Sequence, residues 1–265
     1  MNYQVKTVTM GAVNWIGLWT LYLREVRRFL KVYTQTLAAP VVTTLLFLSI
    51  FVLALGGATR TVAGIPFTEF LAPGLIVMAI AQNAFANTSS SIMISKIQGN
   101  IIDTLMPPFT AHELTFGIVM GGASRGICVG VVVVLVMAVF VDLGIHHWGF
   151  ILYHGFMASV MLSLLGTIGG IWSEKFDHIA AVTNFIITPL SFLSGTFYSI
   201  QRLPEAVQIA AHFNPFFYMI DGVRYGFTGH ADGSLMAGLF VMAAVNAALW
   251  ALCTGMFATG YKLKD

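Results

Sequence analysis

The charged residues of this 265-residue chain leave long uncharged segments between them. The five longest gaps hold 28, 26, 31, 24 and 29 residues, at 32–59, 70–95, 143–173, 178–201 and 233–261. A sixth apolar segment, Leu114–Val141, contains Arg125 as its only charged residue. An apolar helix needs about 20 residues to cross the hydrocarbon layer, because each residue rises about 1.5 Å. The chain is therefore long and apolar enough to cross a membrane six times.

The composition supports this interpretation. Hydrophobic residues make up 57% of the chain and charged residues only 9%, whereas about a quarter of the residues of a soluble domain are charged. The net charge of +2 is too small to predict nucleic-acid binding. The sequence thus predicts an all-α membrane protein, with spans near Val32–Leu55, Phe70–Ser95, Leu114–Val141, Trp148–Trp172, Ile179–Ser199 and Ser234–Tyr261.

Basic residues predict the orientation, since cytoplasmic loops carry an excess of lysine and arginine. With the N-terminus inside, nine basic residues lie on the cytoplasmic side, namely Lys6, Arg24, Arg27, Arg28, Lys31, Lys96, Lys175, Lys262 and Lys264. Three lie outside: Arg60, Arg202 and Arg224. We therefore expect both termini in the cytoplasm.

Residues 10–33 have the pattern of an amphipathic helix, which makes 1–31 a separate N-terminal segment before the transmembrane domain, 32–265. Its basic face carries Arg24, Arg27, Arg28 and Lys31, and its apolar face carries Trp15, Leu18, Trp19, Tyr22, Val26, Phe29 and Leu30. Such a helix lies in the membrane plane, with its cations among the lipid phosphates. The alternative is an ordinary basic flank that sets only the topology.

Two connecting segments are unusual. In the inner loop between spans two and three, a short segment from Gln98 to Met106 precedes Pro107-Pro108, and Thr110 with Glu113 forms a capping box for the next helix. We expect a small helix below the membrane that docks to a partner. The outer segment 200–233 contains broken apolar helices and predicts a re-entrant hairpin. The alternative is a surface loop, in which Asp221 and Arg224 form an exposed pair.

The third span contains two features that need an explanation. Gly122–Gly126 places Ser124 in a Gly-x-Ser-x-Gly pattern, but His154 is the only deep histidine that could serve as its base, so intramembrane proteolysis is a minor alternative. The glycines favour close helix packing instead, because they recur at four-residue spacing: Gly117, Gly121, Gly122, Gly126 and Gly130. Arg125 either snorkels to the inner surface or faces a cavity.

Other chemistry is not expected on this chain. It contains no Gly-Lys dipeptide, so a phosphate-binding loop for ATP is missing. No carboxylate lies clearly within a span, which weakens the hypothesis of a stand-alone secondary carrier without excluding it. We expect no catalytic residue, no metal site and no bound cofactor.

Several short motifs, in their order and spacing, resemble the permease subunits of type-2 ATP-binding cassette transporters. The motifs are Phe70–Leu75, Gly99–Leu105 with Pro107-Pro108, Leu193–Ser199, Leu203-Pro204, Phe213–Pro215 and Gly222–Gly226. The resemblance extends over essentially the whole chain. It implies a multi-pass permease of a bacterial inner membrane, and it implies ATP-driven export of an amphipathic substrate such as a lipid, a glycan or a hydrophobic drug.

The resemblance also implies partners and roles for particular residues. The partners are a second copy of the chain and two separate ATPase subunits, which would bind ATP and Mg²⁺. The coupling helix would comprise Gln98, Gly99, Asn100, Ile101, Ile102, Asp103, Thr104 and Leu105. The interfacial helix would use Trp15, Trp19, Arg24, Arg27, Arg28 and Lys31. The re-entrant hairpin would use Leu203, Pro204, Asn214, Pro215, Asp221 and Arg224.

Overall fold

The computed structural model describes residues 13–54 and 61–263, and the regular structure in these residues is helical apart from one small β-hairpin. The helices are α1 Trp15–Leu30, α2 Tyr33–Ala54, α3 Phe67–Ile97, α4 Ile101–Leu105, α5 Ala111–Met137, α6 Trp148–Trp172, α7 Phe176–Val182, α8 Thr188–Leu193, α9 Glu205–His212, α10 Pro215–Thr228 and α11 Leu235–Thr259. The hairpin pairs β1 Thr61–Val62 with β2 Ile65–Pro66. Residues 10–12 of the amphipathic pattern, the predicted span end Leu55, and Lys6, Arg60 and Lys264 lie outside the described residues.

Within residues 13–54 and 61–263, six helices are long and apolar enough to cross a membrane, so the prediction of six spans is confirmed. They run Tyr33–Leu53, Phe67–Ile97, Ala111–Met137, Trp148–Trp172, Phe176–Leu193 and Leu235–Thr259. The fifth was predicted to reach Ser199, and this end was wrong. It ends at Leu193, because Gly195 adopts a left-handed φ of +74° and the Thr196 hydroxyl turns back to donate to the Ser191 carbonyl at 2.7 Å.

The fifth span is built from three helical segments. α7 passes into a π-helical turn, Thr183–Ile187, and then into α8. Pro189 stands at the start of α8 and has no N–H to donate to the preceding turn. The Thr188 backbone N–H donates to the Thr183 carbonyl, five residues earlier, which is the hydrogen-bond pattern of a π-helix.

The helix α3 lies at the centre of the bundle and packs against α2, α5, α6 and α10. The glycines of α5 allow the close packing that their spacing predicted. A Cβ at Gly126 would lie 2.3 Å from the Ser159 Oγ and 2.9 Å from the Ile80 carbonyl oxygen. On the neighbouring face of α5, a Cβ at Gly121 would lie 2.3 Å from the Cβ of Glu25. Two rows of glycine therefore face different partners, α3 and α6 in one case and α1 in the other.

The predicted cytoplasmic ends of several helices meet at one side of the bundle. The Lys96 Nζ donates to the carbonyls of Ile171 and Ser173 at 2.7 and 2.6 Å, and Lys262 forms a 2.8 Å ion pair with Glu174. In this ion pair Lys262 donates a hydrogen bond to Glu174, which lowers the pKa of the Glu174 carboxyl and raises the pKa of Lys262. Cations near the C-terminal end of α6 are favourable, because the last carbonyls of a helix have no partner within the helix.

Candidate coupling region and translocation groove

The short helix α4 forms the predicted coupling segment, and it presents one face outward. Gln98 caps the end of α3, Gly99 has a φ of +74°, and Asn100 caps α4. Ile101 and Thr104 are buried against the bundle. The remaining face exposes Ile102 at 57% and Met106 at 77%, and Asp103 lies beside them. This face combines two apolar side chains with one carboxylate, a pattern suited to contact with another protein.

The start of α5 is fixed by the predicted capping box, which is confirmed. The Glu113 backbone N–H donates to the Thr110 hydroxyl at 3.3 Å, and the Thr110 backbone N–H donates to the Glu113 carboxylate at 2.6 Å. The second carboxylate oxygen of Glu113 accepts from the backbone N–H of Asn14 at 2.7 Å. Glu113 therefore fixes the starts of both α5 and α1.

The helix α1 is amphipathic, and residues of both predicted faces contact the bundle. Leu18, Leu21 and Phe29 pack into the bundle, whereas Trp15 is 71% exposed and Trp19 is 60% exposed. Arg27 and Lys31 are exposed, as expected for cations among lipid phosphates. Arg24 and Arg28 instead bind protein groups. The interfacial position of α1 stays a prediction.

Arg24 connects α1 to the coupling helix. Its Nη1 donates to the Thr104 hydroxyl at 2.8 Å, and its Nη2 lies 3.1 Å from the Glu25 carboxylate. Thr104 is buried on the inner face of α4, so this hydrogen bond lies between α4 and α1.

Glu25 is a buried carboxylate that sequence reasoning missed. It is 1% exposed, it pairs with Arg24 and Arg28, and its Oε1 accepts from the Ser91 hydroxyl at 2.9 Å. In the sequence, Glu25 stands among arginines and resembles an exposed charge. The available signal was that it is the only acidic residue between Met1 and Lys31.

A groove of about 710 Å³ lies between α2 and α3. Its wall is polar near the predicted inner surface, where Arg28, Asn87 and Ser90 line it, and apolar further along, at Phe47 and Leu75. Arg125 lines the same groove and donates to the Asn83 side chain at 3.3 Å. The sequence allowed Arg125 either to snorkel to the inner surface or to face a cavity, and the structure supports the cavity.

On the predicted external side, the motifs behind the family resemblance meet around Arg224. This residue is fully buried in α10, its Nε donates to the Phe70 carbonyl at 3.3 Å, and its Nη2 donates to the Gly195 carbonyl at 2.6 Å. Its guanidinium also lies 3.9 Å from the centre of the Phe70 ring. Asn214 completes this motif cluster, donating to the Leu190 carbonyl and the Ser194 hydroxyl.

The structure does not contain the exposed pair of Asp221 and Arg224 that the alternative of a surface loop allowed. Both residues are buried, and no ion pair within 4.0 Å joins them in the described part of the chain. Asp221 instead accepts from the backbone N–H groups of Asp232 and Gly233 at 2.8 and 3.0 Å, which fixes the loop before α11. Buried polar groups need such partners, because an unmade hydrogen bond is costly away from water. The re-entrant depth of α9 and α10 stays a prediction.

Comparison with known proteins now decides the family. The family model for ABC-2 type transporters matches residues 17–228, which include most of α1, the groove, α4 and the motif cluster. This chain belongs to the ABC-2 type transporter family. The inner membrane transport permease YadH of Escherichia coli strain K12 is 36% identical over 256 residues, which cover 97% of this chain and 100% of that protein. Nodulation protein J of Rhizobium leguminosarum bv. viciae is 27% identical, covering 83% and 84%.

Membership of the ABC-2 family identifies a transporter permease and not an enzyme, and the geometry agrees. The Ser124 hydroxyl bonds to the Met120 carbonyl at 2.8 Å and to the Tyr22 hydroxyl at 2.9 Å. His154 lies elsewhere, with its Nδ1 3.2 Å from the Phe150 carbonyl and its ring against Gly222. The structure therefore does not bring these two side chains together as nucleophile and base.

The predicted site residues separate into three regions of this ABC-2 permease. The coupling residues lie on and beside α4, and the interfacial residues lie on α1. Among the hairpin residues, Asn214, Asp221 and Arg224 are buried, Pro215 begins α10, and Leu203 and Pro204 lead into α9. The roles assigned to these residues stay predictions.

Proposed function

We propose that this ABC-2 permease works as a homodimer in a bacterial inner membrane. It carries an amphipathic substrate outward, and two separate ATPase subunits that bind ATP and Mg²⁺ drive it. The relative named as an inner membrane transport permease supports the location. Both termini lie in the cytoplasm, which is consistent with the basic residues gathered at one side of the bundle.

The observation that carries the proposal is the outward face of α4. Ile102, Asp103 and Met106 project from the outer face of α4, and Thr104 on its inner face receives a hydrogen bond from Arg24 of α1. A partner that pushes on this face acts on α3, α5 and α1 together. Such a push shifts the permease only if the ATPase binds one of its conformations more tightly than the other.

The translocation path runs between two copies of the chain. The first, fifth and sixth spans form the periphery, since only 17%, 11% and 17% of their most apolar windows are buried. The groove lies against α2, one of these peripheral spans, and a second copy that covers α2 would turn it into an enclosed path. Its mixed polar and apolar wall suits amphipathic cargo such as a lipid, a glycan linked to a lipid or a hydrophobic drug.

Charge reversal on α4 tests the coupling. The permease is purified with its ATPase subunits, placed in liposomes and assayed for permease-dependent ATP hydrolysis. We expect Asp103→Arg to lower this activity about tenfold, because a like charge at a docking surface repels the partner. The control is Asp177→Arg, an exposed acidic residue at the start of α7 on the same side of the bundle. Equal activity in both variants would remove the coupling assignment.

A second variant tests the position of α4 without changing its charge. Gly99 has a φ of +74° and no atoms within 4 Å of a Cβ placed on it. Asparagine tolerates this backbone region and valine does not. We expect Gly99→Asn to retain ATPase stimulation and Gly99→Val to lose it. Transport in liposomes that contain this chain alone would instead favour a stand-alone carrier.

A further inference from the structure

Two arginines from different helices line the groove between α2 and α3. Arg28 lies near the end of α1, and Arg125 lies in the middle of α5. Among the described residues that line this groove, these two are the only charged ones, and none is acidic. The groove therefore carries positive charge in a place where an unbalanced charge is costly.

Arg125 has few partners for a cation at this depth. Its Nη2 donates to the Asn83 side chain at 3.3 Å, and its Nε is buried without a hydrogen-bond partner within residues 13–54 and 61–263. No carboxylate of the described chain lies within 4.0 Å of it. A guanidinium has five N–H donors, so most of the binding capacity of Arg125 is unused.

Arg28 is held more firmly, but it also contributes charge to the groove. Its Nη1 donates to the Ser90 hydroxyl at 3.1 Å, and its Nη2 donates to the Asn87 carbonyl. Its Nε lies 3.4 Å from Glu25, which also pairs with Arg24. Arg24 and Glu25 lie beside the groove and not in its lining. With these two residues included, three arginines and one carboxylate leave two positive charges in excess at this end of the groove.

The two guanidinium groups are anchored close together along α3. Arg125 binds Asn83, and Arg28 binds Asn87, four residues later in the same helix. Four residues are about one turn, or about 6 Å of rise. A single anionic group between the two arginines can therefore reach both.

We propose that this end of the groove binds the phosphate group of an amphipathic molecule, whose apolar part lies along Phe47, Leu75 and Met78. Guanidinium forks match phosphate oxygens with two parallel hydrogen bonds, which makes arginine well suited to this group. The proposal rests on the proposed function, because it narrows the amphipathic cargo to phosphate-bearing molecules.

Direct binding to the purified full-length chain tests the proposal, with no ATPase present. The chain is held in maltoside micelles, which are neutral and contain no phosphate. The probes are dioctanoyl phosphatidate, dioctanoylglycerol with the same tails, and inorganic phosphate. We expect dioctanoyl phosphatidate to bind at least about tenfold more tightly than either of the others, since charge-assisted hydrogen bonds and apolar burial act together. Equal binding of dioctanoylglycerol would overturn the proposal, as would equal binding of inorganic phosphate.

Variants locate the binding. Arg125→Gln should weaken dioctanoyl phosphatidate binding about tenfold or more, and Arg125→Lys should restore part of it, because the charge remains and the fork is lost. The matched control is Arg202→Gln, an exposed arginine before α9 outside the groove, which should bind as the wild type does. Unchanged binding in Arg125→Gln would overturn the assignment.

Thermal unfolding without ligand separates a binding role from a structural one. An arginine without an acidic partner destabilises the bundle, so Arg125→Gln should unfold at the same temperature as the wild type or at a higher one. A lower unfolding temperature would show that Arg125 is needed for folding, and would overturn the proposal. Because these measurements use no ATPase, their failure leaves the proposed ATP-driven transport untouched.

Discussion

Arg224 shows how a single residue joins distant parts of this chain. It is fully buried, and it holds the carbonyls of Phe70 and Gly195, which are 154 and 29 positions away in the sequence. Three family motifs therefore depend on one guanidinium. Asn214 of a fourth motif acts in a similar way, because it binds both Leu190 and Ser194.

Removal of this guanidinium should destabilise the external side of the bundle. We expect Arg224→Ala to lower the free energy of unfolding by about 2–4 kcal/mol, because it leaves a cavity and two carbonyls without their donor. Chemical unfolding in detergent micelles measures this change. The control is Arg202→Ala, an exposed arginine before α9, which should have little effect. Equal stability of the two variants would contradict the anchoring role.

At the scale of elements, the packing of α5 depends on glycines that face two different sets of neighbours. Gly122, Gly126 and Gly130 face α3 and α6, whereas Gly117 and Gly121 face α1. Their four-residue spacing keeps each row on one side of the helix. Without these glycines, the central helices could not approach one another closely enough to make their present contacts.

A matched pair of glycine substitutions tests this packing. A Cβ at Gly126 would lie 2.9 Å from the Ile80 backbone oxygen, whereas a Cβ at Gly155 in α6 would meet no atom within 4 Å. We expect Gly126→Ala to destabilise the protein by about 1–3 kcal/mol through overpacking. Gly155→Ala should be neutral or stabilising by about 0.5–1 kcal/mol, because alanine restricts the unfolded chain. Thermal unfolding of both variants measures the difference, and the reverse order would contradict the close contact.

At the scale of the whole molecule, the helix ends that we predict to be cytoplasmic are joined to one another. Lys262 near the C-terminus pairs with Glu174 in the short loop between the fourth and fifth spans, and its Nζ also donates to the Trp172 carbonyl at 3.2 Å. Arg24 joins α1 to α4 at the same side. α4 is therefore bonded to α1, and the last helix is held to the loop before α7.

The ion pair between Lys262 and Glu174 stabilises this contact over a defined pH range. The pKa of Glu174 is lowered, so its contribution is complete above the ordinary glutamate value of about 4.3 and is lost as the pH falls through the lowered value. The pKa of Lys262 is raised, so its contribution is complete below about 10.4 and is lost only above that. We expect constant hydrogen-exchange protection of residues 259–263 from about pH 5 to about pH 9.

The substitution Glu174→Gln tests this ion pair at neutral pH. We expect lower protection of the same residues, since the charge that holds Lys262 is removed. Asp177→Asn is the control, because Asp177 is exposed nearby and makes no described ion pair. Protection of the wild type that falls between pH 8 and pH 6 would contradict this account.

The positions of the spans followed from local information. Hydrocarbon thickness selects apolar segments of a certain length, so charge spacing alone located six helices, and the capping box of Thr110 and Glu113 marked the start of α5. The order of short motifs was likewise sufficient to indicate the permease family. Where the chain turns inside an apolar segment, as at Gly195, this information was too weak to place the end of the helix.

The sequence by itself therefore determined the number of spans, their approximate limits and the small helix between Ile97 and Pro107. Only the tertiary structure decided that Glu25 is buried, that Arg224 binds backbone carbonyls, and that Arg28 and Arg125 line one groove. The physical reason is the range of the interactions. Membrane insertion depends on the hydrophobicity of neighbouring residues, whereas the partner of a polar side chain depends on packing between helices far apart in the sequence.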